Sequence, residues 1–150
     1  MDELGWRVCR SADLAPLVLG HYSRRHPVRP GVHLGGAGAP LYLLTRSGSA
    51  WVAVLQRGSR WPVVWRSWPS WWVSLFRRHP SDPLKASELV RRAWVWTWSV
   101  CQAPGYTAVD VRRVLSSTPG LCFLRAGWRY HCSTRPLERW RSLLVLKRGA

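Results

Sequence analysis

Pro119-Gly-Leu-Cys-Phe-Leu-Arg-Ala-Gly-Trp-Arg129 is the stretch that decides the fold. Pro119 suits the first turn of a helix because its missing N–H would be unpaired there anyway. The leucines and the phenylalanine that follow supply a small apolar face, and Gly127 can adopt the left-handed conformation that ends a helix. Trp128 then begins a half-buried strand. The stretch predicts a turn, a helix of about two turns and a strand.

Outward from this stretch, hydrophobic spacing predicts an alternation of strands and helices. Strands are predicted at 41–46, 50–56, 71–76, 106–110 and 142–147, a short helix or turn at 11–19, and a longer helix at about 84–100. Asp82 is the predicted N-cap of the longer helix and Pro83 its first residue. Residues 94–98 also alternate as a strand would, which leaves the end of that helix open. The order indicates an α/β (α+β) fold, a mixed sheet flanked by helices with local parallel pairing.

Length and composition indicate one domain spanning residues 1–150. Hydrophobic residues make up 47% of the chain, and no run approaches the ~18 apolar residues of a membrane span. The acidic N-terminus has no continuous apolar segment, so we expect no secretory signal, no membrane partner and a cytoplasmic location. The four cysteines show neither a CxxC pair nor a dense framework, which favours reduced thiols over zinc or disulfides.

Charge points to a polyanionic partner. The chain carries 23 basic and seven acidic residues, a net charge of +16, and only Lys85 and Lys147 among the basic residues are lysines. The excess is spread over both halves, so the folded surface itself should be positive, as in proteins that neutralise DNA phosphates. An arginine-rich codon bias is the alternative explanation.

Twelve tryptophans form a second unusual feature, and six of them lie between Trp51 and Trp72. Aromatic rings beside arginines can stack unpaired bases, although tryptophan is also a residue of cores and interfaces. Prolines mark part of this segment as loop, and it is our candidate for touching DNA. Its predicted contact residues are Arg57, Arg60, Trp61 and Arg66.

Five pieces of the chain, in order, resemble the Mom family of phage and prophage DNA-modification proteins, a divergent branch of the GNAT acyltransferase fold. They are His21-Tyr22-Ser-Arg-Arg, Leu75-Phe76-Arg77, Ala86-Ser87-Glu88-Leu89, Tyr106-Thr-Ala-Val-Asp110, and Pro119-Gly-Leu-Cys-Phe with Ala126-Gly127-Trp128. The resemblance implies a GNAT-like fold and a transferase that adds a carbamoylmethyl-type or acyl group to the exocyclic amine of adenine in double-stranded DNA. The implied consequence is protection from restriction.

Catalytic candidates follow from that chemistry. The exocyclic amine of adenine is a poor nucleophile, so an enzyme must remove a proton as the new bond forms. Asp110 ends a strand, where α/β sheets place ligands, and could act as base or orient the amine; a helix N-cap or turn carboxylate is the alternative. His21 and Tyr22 form a possible proton-transfer pair. The same histidine, beside Arg24 and Arg25, could instead contact phosphate with them.

Donor-binding candidates lie between strand 71–76 and the long helix. Arg77 suits a phosphate or carboxylate, and Ser87 in the first turns of the helix could bond the same anion. Ordinary GNAT enzymes bind acyl-CoA with an Arg/Gln-x-x-Gly-x-Gly/Ala loop here, but this stretch, 77–87, has no glycine. Arginines and hydroxyls would have to replace the backbone nest, so the donor, acyl-CoA or a related molecule, stays open.

A metal site is not expected, and His21 and Asp110 are the least implausible ligands. Three functions remain: a Mom-type DNA-modifying transferase, a non-catalytic DNA-binding module of the same fold, and an N-acetyltransferase on a small amine or protein. The oligomeric state stays open.

Overall fold

The structure, a computed structural model, describes residues 5–17, 38–58, 66–110, 120–134 and 143–149. Seven strands and three helices lie in these ranges: β1 (Trp6–Val8), α1 (Ser11–Leu14), β2 (Ala39–Thr45), β3 (Ala50–Gln56), β4 (Ser70–Arg77), α2 (Ala86–Val100), β5 (Gly105–Asp110), α3 (Leu121–Arg125), β6 (Arg129–Thr134) and β7 (Leu143–Arg148). A short 3-10 turn, Ala15–Leu17, follows α1. The five strands predicted from hydrophobic spacing, the strand predicted after Gly127 (β6) and the three predicted helices are confirmed, and β1 is an additional strand.

The strands form one mixed sheet in the order β1-β2-β3-β4-β5-β7-β6. Only β4 and β5 pair in parallel, and all other neighbours are antiparallel. A parallel pair needs a crossover, and α2 supplies it. The predicted mixed sheet flanked by helices, with one local parallel pair, is therefore confirmed. None of the helices in the described ranges is long and apolar enough to cross a membrane.

The stretch that ends α3 folds as its glycine predicts. Gly127 has φ 89°, and its N–H donates to Leu124 O while the N–H of Trp128 donates to Phe123 O. These two bonds form a Schellman motif, in which the residue after the glycine also makes an apolar contact with a residue in the last turn of the helix. Here Phe123 and Trp128 supply that contact edge to face, with ring centroids 5.2 Å apart. The motif turns the chain directly from α3 into β6.

The main core lies between one face of the sheet and the helices α2 and α3. Apolar residues at helical spacing bury one side of α2, and this buried side extends to Trp94 and Thr97. Residues 94–98 are therefore helix rather than strand. Two tryptophans donate into this helix: Trp6 Nε1 to Leu89 O at 3.1 Å and Trp51 Nε1 to Thr97 Oγ1 at 3.0 Å. A smaller cluster on the opposite face packs against α1.

A β-bulge in β4 changes which side chains face the main core. Val52 pairs with Leu75 and Ala53 with Val73, so Ser74 is the extra residue. Before the bulge Val73 packs in the main core, and after it Leu75 packs on the opposite face. A bulge also bends its strand, and this one bends β4 just before the strand reaches the loop that leads to α2.

Candidate functional site

The parallel strands β4 and β5 part near their carboxyl ends. Their register comprises the pairs Trp71–Gly105, Trp72–Tyr106 and Val73–Thr107, and it stops where Ser74 bulges. Both strands continue for three or four residues, paired instead to β3 and β7. Ligands of open α/β sheets bind outside the carboxyl ends of parallel strands, so this end is where a site is expected.

The loop from β4 to α2 is fixed by one buried carboxylate. Asp82 is 4% exposed. Its Oδ2 accepts hydrogen bonds from Thr45 Oγ1 at 2.9 Å and Ser49 Oγ at 2.8 Å, and its Oδ1 accepts one from the N–H of Leu84 at 3.1 Å. Asp82 therefore ties the loop to the turn between β2 and β3. The predicted N-cap role is wrong: α2 begins at Ala86 with Lys85 as its N-cap residue.

These hydrogen bonds keep the Asp82 carboxylate ionised. Burial by itself would raise its pKa, but the bonds from Ser49, Leu84 and Thr45, together with the positive charge of Arg78, outweigh burial and lower the pKa below its ordinary value. The buried group is thus a fixed negative charge held mainly by neutral donors.

Arg78 is the first cationic residue of the loop and is held by backbone carbonyls. Its Nε donates to Leu84 O at 2.8 Å and its Nη2 to Asp82 O at 2.6 Å. Because both acceptors belong to the loop that Asp82 fixes, the guanidinium has a defined direction.

A cavity of about 430 Å³ opens beside this loop, between the start of α2 and α3. Three cationic side chains line it, two from the loop between β4 and α2 and one from α3, together with a hydroxyl, a thiol and two apolar groups: Arg78, Lys85, Arg125, Ser87, Cys122, Ala86 and Leu121. No carboxylate is among its lining residues. A cavity with this lining favours an anionic group.

The backbone at the start of α2 adds to the positive electrostatic potential of the cavity. Lys85 O accepts the N–H groups of Glu88 and Leu89, and no side-chain cap bonds the start of the helix. The first N–H groups of a helix and its dipole both favour an anion at that end. The helix is 15 residues long, so the dipole is fully developed.

Cys122 lines the cavity as a neutral thiol. Burial raises its pKa above the ordinary value, although backbone hydrogen bonds partly offset this effect. A thiol without thiolate character is a poor nucleophile. All four cysteines are free, and each is only partly buried.

The positive charge around the cavity has little internal compensation. Glu88 pairs with Arg91 and Arg92 at 2.8 Å for the latter, Asp13 pairs with Arg10, and Asp82 is bound by hydroxyl and amide donors. In the part of the chain that the structure describes, neither Arg78, Lys85 nor Arg125 forms a salt bridge.

Of the predicted donor-binding pair, Ser87 lines the cavity and Arg77 does not. Arg77 is the last residue of β4, where it pairs with Ala50, and the neighbouring Arg78 lies at the cavity instead. Besides Arg78, three polar lining residues were not predicted from the sequence: Lys85, Cys122 and Arg125. The first immediately precedes the helix start and could have been suspected, whereas Arg125 reaches the site only because α3 packs against α2, with Arg91 Nη2 donating to Arg125 O at 3.2 Å.

The predicted DNA-contact residues in the described ranges differ from one another. Arg57 is exposed just after β3. Arg66 is partly buried, with its guanidinium carbon 4.7 Å from the ring centroid of Trp68, 5.1 Å from Trp72 and 5.7 Å from Tyr106. Burial lowers its pKa to about 10. The contacts of Arg66 are internal, and its predicted contact with DNA stays a prediction.

Several predicted site residues lie outside the described ranges: His21, Tyr22, Arg24, Arg25, Arg60 and Trp61. The backbone of Asp110 ends β5 and pairs with Leu143, as a strand-end residue should. Among the described residues, no group of three histidine, cysteine, aspartate or glutamate side chains could hold a metal ion.

No family model, no curated protein and no solved structure matches this chain. Function is therefore inferred from the geometry of the cavity, from the charge of the protein and from the family resemblance of the five sequence pieces quoted above.

Proposed function

We propose that this protein is a DNA base-modifying transferase that transfers a small carbamoylmethyl-type or acyl group from an anionic donor to the exocyclic amine of adenine. The observation that carries the proposal is the basic cavity at the carboxyl end of β4, between the start of α2 and α3. A cavity there supplies a place for a phosphorylated donor on a protein whose net charge of +16 suits a DNA substrate.

The cavity supports a donor that carries phosphate groups. Arg78 offers a planar fork of N–H donors, Lys85 and Arg125 offer mobile charges, and Ser87 offers a hydroxyl. Arg78, Lys85 and Ser87 lie in the stretch where the ordinary acyltransferase pattern would place glycines, and Arg125 reaches the same cavity from α3. Side-chain donors thus replace a backbone nest, and we propose a phosphorylated donor. For an acyl group this would be a coenzyme A thioester, whose thiol leaves as the amide forms; for a carbamoylmethyl-type group it would be a related phosphorylated molecule with its leaving group on the methylene carbon.

Double-stranded DNA is the proposed acceptor. A surface with few carboxylates retains its attraction for phosphates, and the carboxylates of Asp13, Asp82 and Glu88 are already engaged. The target adenine would have to leave the stack to bring its amine to a buried donor. We assign Asp110 as the base or orienting group, and His21 and Tyr22 to proton transfer. The proposed enzyme is cytoplasmic.

Mass spectrometry of nucleosides tests this function. DNA from cells that co-express the chain should contain a modified adenosine. The variant Lys85→Ala/Arg125→Ala should abolish it, whereas Arg7→Ala/Arg129→Ala, which removes the same charge from two exposed arginines outside the cavity lining, should retain it.

Two outcomes would redirect the assignment. Unmodified adenosine with the well-expressed natural chain would leave the non-catalytic DNA-binding module of the same fold. Unmodified DNA together with acetylation of a small amine or a protein in the presence of acetyl-CoA would instead support the N-acetyltransferase.

A further inference from the structure

We infer that Asp82 is a positioning residue that aims the guanidinium of Arg78 into the basic cavity and so sets the affinity of that cavity for anions. The inference deepens the proposed function and rests on it for the identity of the ligand. Asp82 itself is buried and is not among the residues that line the cavity.

Two hydrogen-bond relays end on the same carboxylate oxygen. The N–H of Ser49 donates to Thr45 Oγ1 at 2.9 Å, and that hydroxyl donates to Asp82 Oδ2. The N–H of His79 donates to Ser49 Oγ at 2.9 Å, and that hydroxyl also donates to Oδ2. Both hydroxyl protons therefore need an acceptor at this point, and a carboxylate oxygen is a pure acceptor.

The main chain of Asp82 carries the order from the carboxylate to Arg78. The N–H of Asp82 donates to His79 O at 3.0 Å, and Asp82 O accepts from Arg78 Nη2. Through its side chain Asp82 also fixes Leu84, whose carbonyl accepts from Arg78 Nε. The two carbonyls that hold the guanidinium are thus those of Asp82 itself and of Leu84, whose N–H donates to the Asp82 carboxylate.

This attachment leaves part of the guanidinium for a ligand. Arginine has five N–H donors, and the two bonds to Asp82 O and Leu84 O use two of them. The remaining three have no partner among the residues that the structure describes, and Arg78 lines the cavity. A preoriented fork binds a phosphate with less loss of side-chain entropy than a mobile one.

An asparagine at this position would disturb the arrangement without changing its size. Its amide nitrogen is a donor, so it would face a hydroxyl proton wherever it replaced Oδ2. Both relays would then have to turn away, whereas the flipped amide would keep them but set its nitrogen against the N–H of Leu84. In either orientation the loop carbonyls would lose their fixed direction. Asp82→Asn is therefore the sharpest variant, and Asp13→Asn, at an exposed ion pair with Arg10, is its matched control.

Two measurements on the full chain test the inference. The first follows exchange of the Arg78 Nε–H with solvent by ¹⁵N nuclear magnetic resonance, which needs no ligand. We expect Asp82→Asn to accelerate this exchange about tenfold or more, the loss of one net hydrogen bond, and Asp13→Asn to leave it unchanged. An unchanged Arg78 Nε–H exchange in Asp82→Asn would overturn the inference.

The second measurement is calorimetric binding of inorganic pyrophosphate to four proteins: the natural chain, Asp82→Asn, Arg78→Ala and the double variant. We expect each single variant to weaken binding about tenfold or more and the double variant to be no weaker than Arg78→Ala alone, because Asp82 acts through Arg78. Independent, multiplying effects would contradict the inference and give Asp82 a merely structural role.

The two readouts separate this inference from the proposed function. A natural chain that does not bind pyrophosphate, but whose Arg78 Nε–H exchange depends on Asp82, would refute the anion cavity and keep the positioning of Arg78. If Asp82→Asn does not fold, Ser49→Ala removes one of the two relays and should accelerate Arg78 Nε–H exchange by a smaller factor; no acceleration would overturn the inference.

Discussion

Arg78 is an exposed arginine and Arg66 a partly buried one, and the protein holds their guanidinium groups in opposite ways. Arg78 is gripped by two backbone carbonyls of a polar loop and lines a cavity. Arg66 is enclosed by the rings of Trp68, Trp72 and Tyr106, and its Nε donates to Ser70 Oγ at 2.8 Å. Carbonyls fix one edge of the Arg78 guanidinium and leave the other for a ligand, whereas three aromatic rings and a serine hydroxyl occupy the surroundings of the Arg66 guanidinium.

The surroundings of Arg66 explain why it acts within the fold. Its Nη2 is buried without a hydrogen-bond partner among the residues that the structure describes, which aromatic faces can compensate because they attract a cation through their quadrupoles. Tyr106 extends the same cluster: its phenol oxygen accepts the N–H of Ser67 at 3.1 Å. Burial would raise the pKa of Tyr106, but the bonds from Ser67 and Lys147 outweigh it and lower that pKa. The number of arginines in a segment therefore does not by itself locate an anion site.

Among substitutions of these two arginines, the largest expected effect is on the stability of the protein. Arg66→Ala removes three cation–π contacts and the bond to Ser70, and we expect the free energy of unfolding to fall by about 2–3 kcal/mol. Arg78→Ala removes two hydrogen bonds at a more exposed site, which should lower it by about 1 kcal/mol. Urea denaturation of both variants measures the difference. Equal losses would show that the two arginines play the same structural role.

The second effect is on anion binding and runs in the other direction. Arg78→Ala should weaken the binding of pyrophosphate by about 10- to 100-fold, whereas Arg129→Ala, an exposed arginine outside the cavity, should leave it nearly unchanged. Protection of Cys122 from alkylation measures occupancy because this thiol lines the cavity. Its raised pKa calls for labelling at alkaline pH, with Cys132 as the internal reference. Equal protection of both cysteines would argue against pyrophosphate binding in the cavity.

The smallest effect is a dependence of stability on acid pH. The pKa of Asp82 is lower in the folded protein than the ~3.9 of an unfolded chain. Its contribution to stability is therefore fully present above the unfolded value and is lost as pH falls through the folded pKa. Asp82→Asn should flatten the stability profile in this acid range, and Asp13→Asn should not. A natural chain and an Asp82→Asn variant with parallel profiles would refute this linkage.

The sequence predicted most of the elements because each has a local signal. Alternation placed β2, β3, β4, β5 and β7, and Gly127 correctly marked the end of α3 with its left-handed conformation. The three-residue strand β1 was missed because so short a run shows almost no alternation. Asp82 was mistaken for an N-cap because an aspartate before a proline satisfies that pattern locally, while the hydroxyls that it binds lie 33 and 37 residues away in sequence.

Local pattern and charge thus determined the elements, the mixed sheet and the positive surface of this protein, since spacing and composition are properties of neighbouring residues. Tertiary structure alone decided which cations share a cavity. Arg125 joins the loop residues Arg78 and Lys85 only because α3 packs beside the start of α2. It also decided that Arg66 is enclosed and Arg78 presented, since the direction of a guanidinium depends on contacts from distant parts of the chain.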